Sequence, residues 1–380
     1  MKLSVSRNEM QEKLANIQNI VEKKNTMPIL SHFFLNAGKK DSYIIATDIE
    51  TALKEPLNIT VEKEGKLCIP ARKLFEIVRE LDGDLSFDAS DDEQWLKVKS
   101  GSSQFRLACL PATDFPAWPA DLGGGEVQEI AIDSAVLLEM IEKTIYSAGE
   151  SDTRYTLNGL LFHIKPDEQS FTIVGTDGHR LALISRQMDS SLSSDIKEEK
   201  KIIVPRKAVS ELRRFLEVPG EGKEPEKVKI SIGEKHLLFS IEKIQFLTRL
   251  IDGSYPNYEN VIPQGNEKKM SIAKDIFVKV LRRVSVMSKE RASAVRCDLE
   301  DNKVVVSSSS PDIGEAKEEA AVEYTGDKVS LGFNAKYVLD VLAAMTTDNV
   351  LLELQDPLSP VLMKEAGNDR YQCVIMPMRI

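Results

Sequence analysis

An α+β fold made of three copies of one unit, each two helices packed on antiparallel sheet, is what this sequence predicts, and three observations carry the prediction. Near the middle of each third a strand ends in proline or asparagine and opens a helix. A second amphipathic helix precedes it, and short alternating runs bounded by turn residues fill the rest. The helix-opening stretches are C-I-P-A-R-K-L-F-E-I-V-R-E-L from Cys68, I-V-P-R-K-A-V-S-E-L-R-R-F-L from Ile203 and G-F-N-A-K-Y-V-L-D-V-L-A-A-M from Gly332. Measured from Pro70, Pro205 and Asn334, apolar residues stand 4, 7 and 11 positions on: Leu74, Ile77 and Leu81; Val209, Leu212 and Leu216; Val338, Val341 and Met345. That spacing is one face of an α-helix. Proline suits the opening of such a helix and asparagine its cap.

The earlier helix of each unit is read from Val5, Ile132 and Ile272. Its face carries Met10, Leu14 and Ile17, then Leu137, Ile141 and Thr144, then Phe277, Leu281 and Val284, with Thr144 the one polar member. Six helices are therefore expected, over 7–24, 71–81, 133–149, 205–216, 273–291 and 334–345. Strands are expected at 43–47, 85–87, 95–98, 105–110, 229–232, 236–241, 303–307 and 350–354. The first two units close alike, L-P-A-T-D-F-P ending at Pro116 and L-I-D-G-S-Y-P ending at Pro256. Gly123 to Gly125 marks a linker, 185–201 reads as an exposed loop and 263–269 as a polar one, giving units 1–125, 126–252 and 253–380.

A chain of 380 residues exceeds what one core usually supports, and 42% hydrophobic with 29% charged residues describes a globular protein. The N-terminus lacks the apolar region of a secretory signal, and no apolar run approaches the roughly 18 residues that span a bilayer, so the expected place is the cytoplasm. Cys68, Cys109, Cys297 and Cys373 are far apart in apolar surroundings and form no C-x-x-C, which points to buried free thiols. The net charge of -10 argues against a uniformly basic DNA-binding surface and against anionic membranes. Its distribution is uneven: the six helices hold 19 Lys and Arg against 12 Asp and Glu, a balance of +7, and the remainder holds 31 against 48, or -17. Lys23 and Lys24, Arg206 and Lys207, Arg213 and Arg214, and Arg282 and Arg283 supply much of the excess. Any one pair suits a solvated helical face. Six equivalent helices facing one way would instead form a positive surface that attracts phosphates without reading bases.

Enzyme signatures are missing. His32, His163, His179 and His236 fall in no zinc spacing, and there is no G-x-x-x-x-G-K-[ST], no G-x-G-x-x-G after a strand and no G-x-S-x-G. The cluster Asp88, Asp91, Asp92 and Glu93 reads as a charged turn between strands. T-D-G-H-R, from Thr176 to Arg180, sets an aspartate two residues from a histidine and leaves three readings: a catalytic pair, a structural turn or a recognition surface. The matching strand end of the first unit, A-T-D-I-E-T from Ala46 to Thr51, keeps the threonine and aspartate and lacks the histidine. Thr-Asp is thus a structural feature of the unit, and Gly178, His179 and Arg180 are what the middle copy adds, which favours recognition. At the end, Y-Q-C-V-I-M-P-M-R-I runs from a strand into two methionines and a proline, suited either to core or to an adaptable surface.

Threefold repetition, T-D-G-H-R-L-A at 176–182, R-Y-T-L-N-G at 154–159, V-P-R-K at 204–207, Y-V-L-D-V-L at 337–342 and a terminal M-P-M-R-I together resemble the bacterial DNA polymerase III β subunit, the sliding-clamp family, over the whole chain. The resemblance implies three domains of the DNA clamp fold in part of a closed ring, a head-to-tail homodimer around sequence-independent duplex DNA, with no catalysis and no cofactor. By the same matching, a hydrophobic cleft between the middle and last units takes the short linear motif of the polymerase III α subunit, the clamp loader, other polymerases and repair proteins. Its residues would be Leu157, Thr176, Gly178, His179, Arg180, Leu181, Pro256, Val261, Leu358, Pro360, Val374, Met376, Pro377, Met378 and Arg379, with Arg180 and Arg379 as donors at the edge. Lys24, Lys73, Arg154 and Tyr155 fall at family positions facing DNA, beside the basic pairs Arg206, Lys207, Arg282 and Arg283. Phe105 and Leu107 match the family's interface strand, and Ile276 and Phe277 the helix it meets. Thr156 stands where many relatives carry a second tyrosine, and Asn260 where some carry an arginine. The rival readings are an enzyme using Asp177 and His179 and a monomeric peptide adaptor that ignores DNA.

Overall fold

The computed structural model describes residues 1–21, 27–119, 121–189, 192–217, 226–288 and 293–379. Its six helices are α1 (Arg7–Ile17), α2 (Ala71–Arg79), α3 (Ser134–Glu142), α4 (Arg206–Leu216), α5 (Lys274–Ser285) and α6 (Ala335–Ala344). All nine residues expected on the faces of α1, α3 and α5 are buried, as are eight of the nine expected for α2, α4 and α6, Ile77 being half-buried. Each buried leucine, isoleucine or valine contributes about 1.5–3 kcal/mol relative to exposure, so these faces hold the helices to the sheets. Pro70 and Pro205 stand at the N-caps of α2 and α4, and at α6 the Asn334 side chain accepts from Lys336 N at 3.0 Å. Ser6 caps α1 by accepting from Glu9 N at 3.2 Å.

Chain contacts gather into two compact units, Met1–Ser134 with Gly220–Leu250, and Ala135–Pro219 with Ile251–Ile380. In the first, one antiparallel sheet runs in the order Thr60–Lys63, Lys2–Val5, Leu85–Ala89, Trp95–Ser100, Ser103–Ala108. A second runs Gln128–Asp133, Lys227–Ile232, His236–Ile241, Ile244–Arg249, Thr51–Pro56, Tyr43–Thr47, His32–Ala37, Gly65–Pro70. Helices α1 and α2 pack on each other in this unit. Within the second unit, nine antiparallel strands run Lys200–Pro205, Gly159–Lys165, Ser170–Thr176, Arg180–Gln187, Asn368–Ile375, Val361–Glu365, Asn349–Leu354, Lys268–Ala273, Glu323–Thr325. A four-stranded sheet, Gly314–Ala321, Lys303–Ser310, Ala294–Glu300, Val329–Asn334, completes it, with α5 across its strands and against α6.

Both long sheets cross a repeat boundary by direct strand pairing. Ile244–Arg249 of the middle repeat pairs with Thr51–Pro56 of the first, setting Leu247 opposite Ala52. Arg180–Gln187 of the middle repeat pairs with Asn368–Ile375 of the last, setting Val374 opposite Leu181. Pairing of this kind leaves no bare strand edge between the repeats it joins, and the boundary between the two compact units runs through the middle repeat.

Several expected boundaries move. The helix expected over 133–149 stops at Glu142, and Ile145–Ser147 forms a separate 3₁₀ turn, because Thr144 leaves helical space (φ -130°) while its hydroxyl donates back to Met140 O at 2.7 Å. The helix expected over 273–291 ends at Ser285, with 289–292 outside the described residues. The one expected over 7–24 ends at Ile17, and 22–26, including Lys24, lies outside the described residues. The supposed loop 185–201 carries the end of strand Arg180–Gln187, a short strand Leu192–Ser194 and the start of Lys200–Pro205. Strand pairing decides those segments, which serine and charge content cannot show. The supposed loop 263–269 is likewise shortened by strand Lys268–Ala273. All four cysteines are free and buried. Burial pushes the Cys68, Cys109 and Cys297 thiols up to about 12 and Cys373 to about 11.

Candidate functional site

The T-D-G-H-R turn is built by its own side chains. Thr176 Oγ1 donates to Arg180 O at 2.6 Å and accepts from Gly178 N at 3.1 Å, while Asp177 Oδ1 accepts from His179 N at 2.9 Å and Arg180 N at 3.0 Å. The first repeat builds the same turn from the same threonine and aspartate followed by three different residues. Thr47 Oγ1 donates to Thr51 O at 2.7 Å and accepts from Ile49 N at 2.9 Å, and Asp48 Oδ1 accepts from Thr51 N at 2.6 Å. Gly178 has φ 84° and its counterpart Ile49 φ 79°. A β-branched residue is strained in that left-handed region and glycine is not. A Cβ at Gly178 would also lie 2.6 Å from Arg154 Nη2, so the flexible arginine head would have to shift.

Beside this turn the second unit opens a cavity of about 140 Å³, lined by Arg154, Leu157, Thr176, Gly178, Arg180, Leu181, Pro256, Tyr258, Val261, Val374 and Met376. Its apolar floor is the strand join: Leu161, Val174, Leu181, Leu183, Ile203, Tyr258, Leu362 and Val374 form one buried cluster, with Ile251, Tyr255 and Ile262 against it. Val261, Leu358 and Met376 are apolar yet 38%, 59% and 38% exposed. The C-terminal segment is tethered by Met376 N donating to His179 O at 3.0 Å and Met378 N to Gly332 O at 2.8 Å. Nine of the fifteen residues expected in a cleft therefore line one cavity. His179, Leu358, Pro360, Pro377, Met378 and Arg379 lie outside that lining, and Tyr258 and Arg154 line it without having been expected there.

Arg180 corrects an expectation. It is 9% exposed, and its guanidinium points inward: Nε donates to Asp177 Oδ2 at 3.0 Å, Nη1 to Asp340 Oδ2 at 2.6 Å and Nη2 to Tyr146 O at 2.5 Å, with Cζ 4.4 Å from the Tyr337 ring centre. A guanidinium so engaged shapes the cleft from behind and is no donor at its edge. Nearby, Lys143 and Glu365, both buried, pair at 3.0 Å through each carboxylate oxygen. Burial pushes the Glu365 carboxyl up, but hydrogen bonds from Thr346, Lys143 and Asn368 outweigh it and hold the group below its usual value. This pair, with Tyr146 and Tyr371 hydroxyls 3.0 Å apart, links the middle and last repeats and left no sequence signal.

The remaining expected residues are scattered. Arg154 is exposed, donates to Asp152 Oδ2 at 2.9 Å and Asp177 O at 3.0 Å, and holds the Asp152 carboxyl down at about 2; Tyr155 beside it is 59% exposed. Lys73, on α2, is exposed and paired with Glu76. Arg206, half-buried, pairs with Glu150 at 2.8 Å, and Lys207 is exposed. Arg282 is exposed, and Arg283 pairs with Glu318 at 2.7 Å. Leu107 is buried and Phe105 half-buried on edge strand Ser103–Ala108; Ile276 is 47% exposed, and Phe277 is 1% exposed within its own repeat. Among the described residues no group of three or more His, Cys, Asp or Glu is placed to hold a metal, and no helix is long and apolar enough to cross a membrane.

Three helix-on-sheet repeats joined by shared sheets define the class: a DNA clamp fold. Profiles of the N-terminal, central and C-terminal domains of the DNA polymerase III β subunit match residues 1–119, 131–257 and 259–379. The chain is 35% identical over 383 residues to the β sliding clamp of Pseudomonas putida and 32% over 384 to that of Escherichia coli K12, covering 100% of each chain. It is similar to a sliding clamp from Bartonella birtlesii crystallised with griselimycin (TM-score 0.92, 32% identity) and to one from Caulobacter crescentus (TM-score 0.90, 33% identity), with 100% of both chains covered. The chain belongs to the DNA polymerase III β subunit family, the β sliding clamps, which are non-catalytic processivity factors of that polymerase.

Proposed function

We propose that two copies of this chain close head to tail into a ring around duplex DNA in the cytoplasm, and that the cavity of the second unit captures short linear motifs of the polymerase III α subunit, the clamp loader and other polymerases and repair proteins. The observation that carries the reading is the cavity itself. Strands from two repeats meet as its apolar floor, Gly178 and Arg180, which the middle repeat adds to the shared turn, line it, and Val261 and Met376 of its lining stay exposed. An apolar hollow with few polar groups suits two or three side chains of an extended peptide. Tethering would then come from topology, while Lys73, Arg206, Lys207, Arg282 and Arg283 make weak phosphate contacts that permit sliding. Edge strand Ser103–Ala108, with Phe105 and Leu107, and α5, with Ile276 exposed and Phe277 shaping the helix from within, are the proposed subunit interface. The domains are proposed at 1–125, 126–252 and 253–380.

Capture of the polymerase α subunit by the full chain and by a chain lacking 376–380 tests the cleft: truncation should abolish capture, and undiminished capture would remove the case for it. Retention on closed circular DNA with release on linearisation tests encirclement, and equal retention on both would refute it.

A further inference from the structure

His163 lies on strand Gly159–Lys165, behind the cleft, and is 1% exposed with both ring nitrogens engaged. Nε2 is 2.6 Å from Glu199 Oε1, and Nδ1 is 2.8 Å from the Tyr258 hydroxyl. An ionised carboxylate only accepts, so Nε2 carries the ring proton, Nδ1 is left as acceptor, and the Tyr258 hydroxyl donates to it. Tyr258 also lines the cavity, as do Pro256 and Val261 of the same short segment, which together form one wall segment of it. Two residues along the strand, and hence on the same face, Lys165 Nζ pairs with Glu259 Oε1 at 2.7 Å. One strand face thus grips two consecutive residues of the segment that forms the wall.

We propose that His163, oriented by Glu199, is a positioning residue for partner binding: neutral, it holds Tyr258 and the Pro256 to Val261 wall in place, and protonated, it releases them and weakens the grip on partner peptides. The inference rests on the cleft reading above. The charged and titratable groups that face the ring are Glu199 with its partner Lys201 at 2.9 Å, Lys165 with Glu168 and Glu259, and Tyr258 itself. Burial is the leading influence and keeps His163 below an ordinary histidine despite the pull of Glu199, while burial pushes Tyr258 up to about 12. Both groups are therefore neutral at neutral pH, and the change falls on the acid side. Once the ring is protonated both nitrogens donate, and the Tyr258 hydroxyl hydrogen is left without its acceptor in a buried setting.

The test is fluorescence anisotropy with a labelled, histidine-free synthetic peptide carrying the clamp-binding motif of the cognate polymerase α subunit, titrated with the full chain from about pH 5 to about pH 8. All variants carry His179→Gln, so that His163 is the remaining histidine of the second unit. Affinity should fall about five- to ten-fold toward acid. Tyr258→Phe, which keeps the ring and loses the hydroxyl, should bind more weakly by a similar factor at neutral pH and show no acid-side loss. Glu199→Gln should move the midpoint further toward acid, a shift that a merely structural role would not produce. Tyr258→Phe with unchanged affinity, or with the same acid profile as its parent, overturns the inference. Met376→Asp separates the two levels. If it abolishes binding while Tyr258→Phe changes nothing, only the role of His163 falls; if it leaves binding intact, the cleft reading falls as well.

Discussion

Replacing Arg180 with methionine keeps much of the side chain's bulk and deletes the charge that joins the T-D-G-H-R turn to α6 and to the backbone at Tyr146. Three contacts go: Asp177 at 3.0 Å, Asp340 at 2.6 Å and Tyr146 O at 2.5 Å. Asp340, with a side chain 30% exposed, can rehydrate, and Asp177 keeps two backbone donors, so neither is fully stranded. Hydrogen bonds to charged groups are worth about 1.5–3 kcal/mol each, and after discounting the accessible partner the loss comes to about 3–4 kcal/mol. Arg180→Lys should recover little of it, because an ammonium cannot span carboxylates on two sides while stacking on Tyr337. Urea denaturation followed by hydrogen exchange across 176–181 measures both global and local loss. If Arg180→Met unfolds within about 0.5 kcal/mol of wild type with unchanged exchange, the assignment of Arg180 as a clasp behind the cleft is wrong.

Glu55 is fully buried, with Oε1 accepting from Asn16 at 2.9 Å, and burial raises its carboxyl to about 7 despite Lys13. The folded state then binds the proton more tightly than the unfolded state, so stability falls as pH rises from about 4.5 through about 7, and Glu55→Gln should flatten that slope by about 2–3 kcal/mol in melts recorded across the range. Gly178→Ala must hold φ 84° and displace Arg154, so it should cost about 1–2 kcal/mol in stability and weaken peptide capture in the same anisotropy assay; unchanged capture would remove the turn from the cleft's edge.

Much of the fold was legible because helix faces and strand ends are local patterns. Met10, Leu14 and Ile17 announce one buried stripe, and Phe277, Leu281 and Val284 another. The Thr-Asp turn was legible too, because two repeats spell it with the same first two letters and it is made by those letters' own side chains. The site was legible only in part. Nine expected residues line the cavity, and the resemblance placed them; composition could not show that Arg180 turns inward or that Arg154 belongs to the lining. Tyr258 was missed because a tyrosine two residues past a proline has no signature of its own, although it is the counterpart of Trp118 in the first repeat, which packs on the matching cluster of Ala52, Leu122 and Leu247.

By itself the sequence determined the threefold repeat, the helix faces, the burial of the cysteines and the uneven placement of charge, each a matter of spacing or residue type along the chain. Tertiary structure alone decided which polar side chains meet. Lys143 and Glu365 stand 222 residues apart, Arg180 and Asp340 160, and His163 and Tyr258 95. Periodicity records which face a residue is on, because neighbouring turns and pleats are local. The partner it finds on that face is set by how strands of different repeats join, and no spacing within a repeat encodes that.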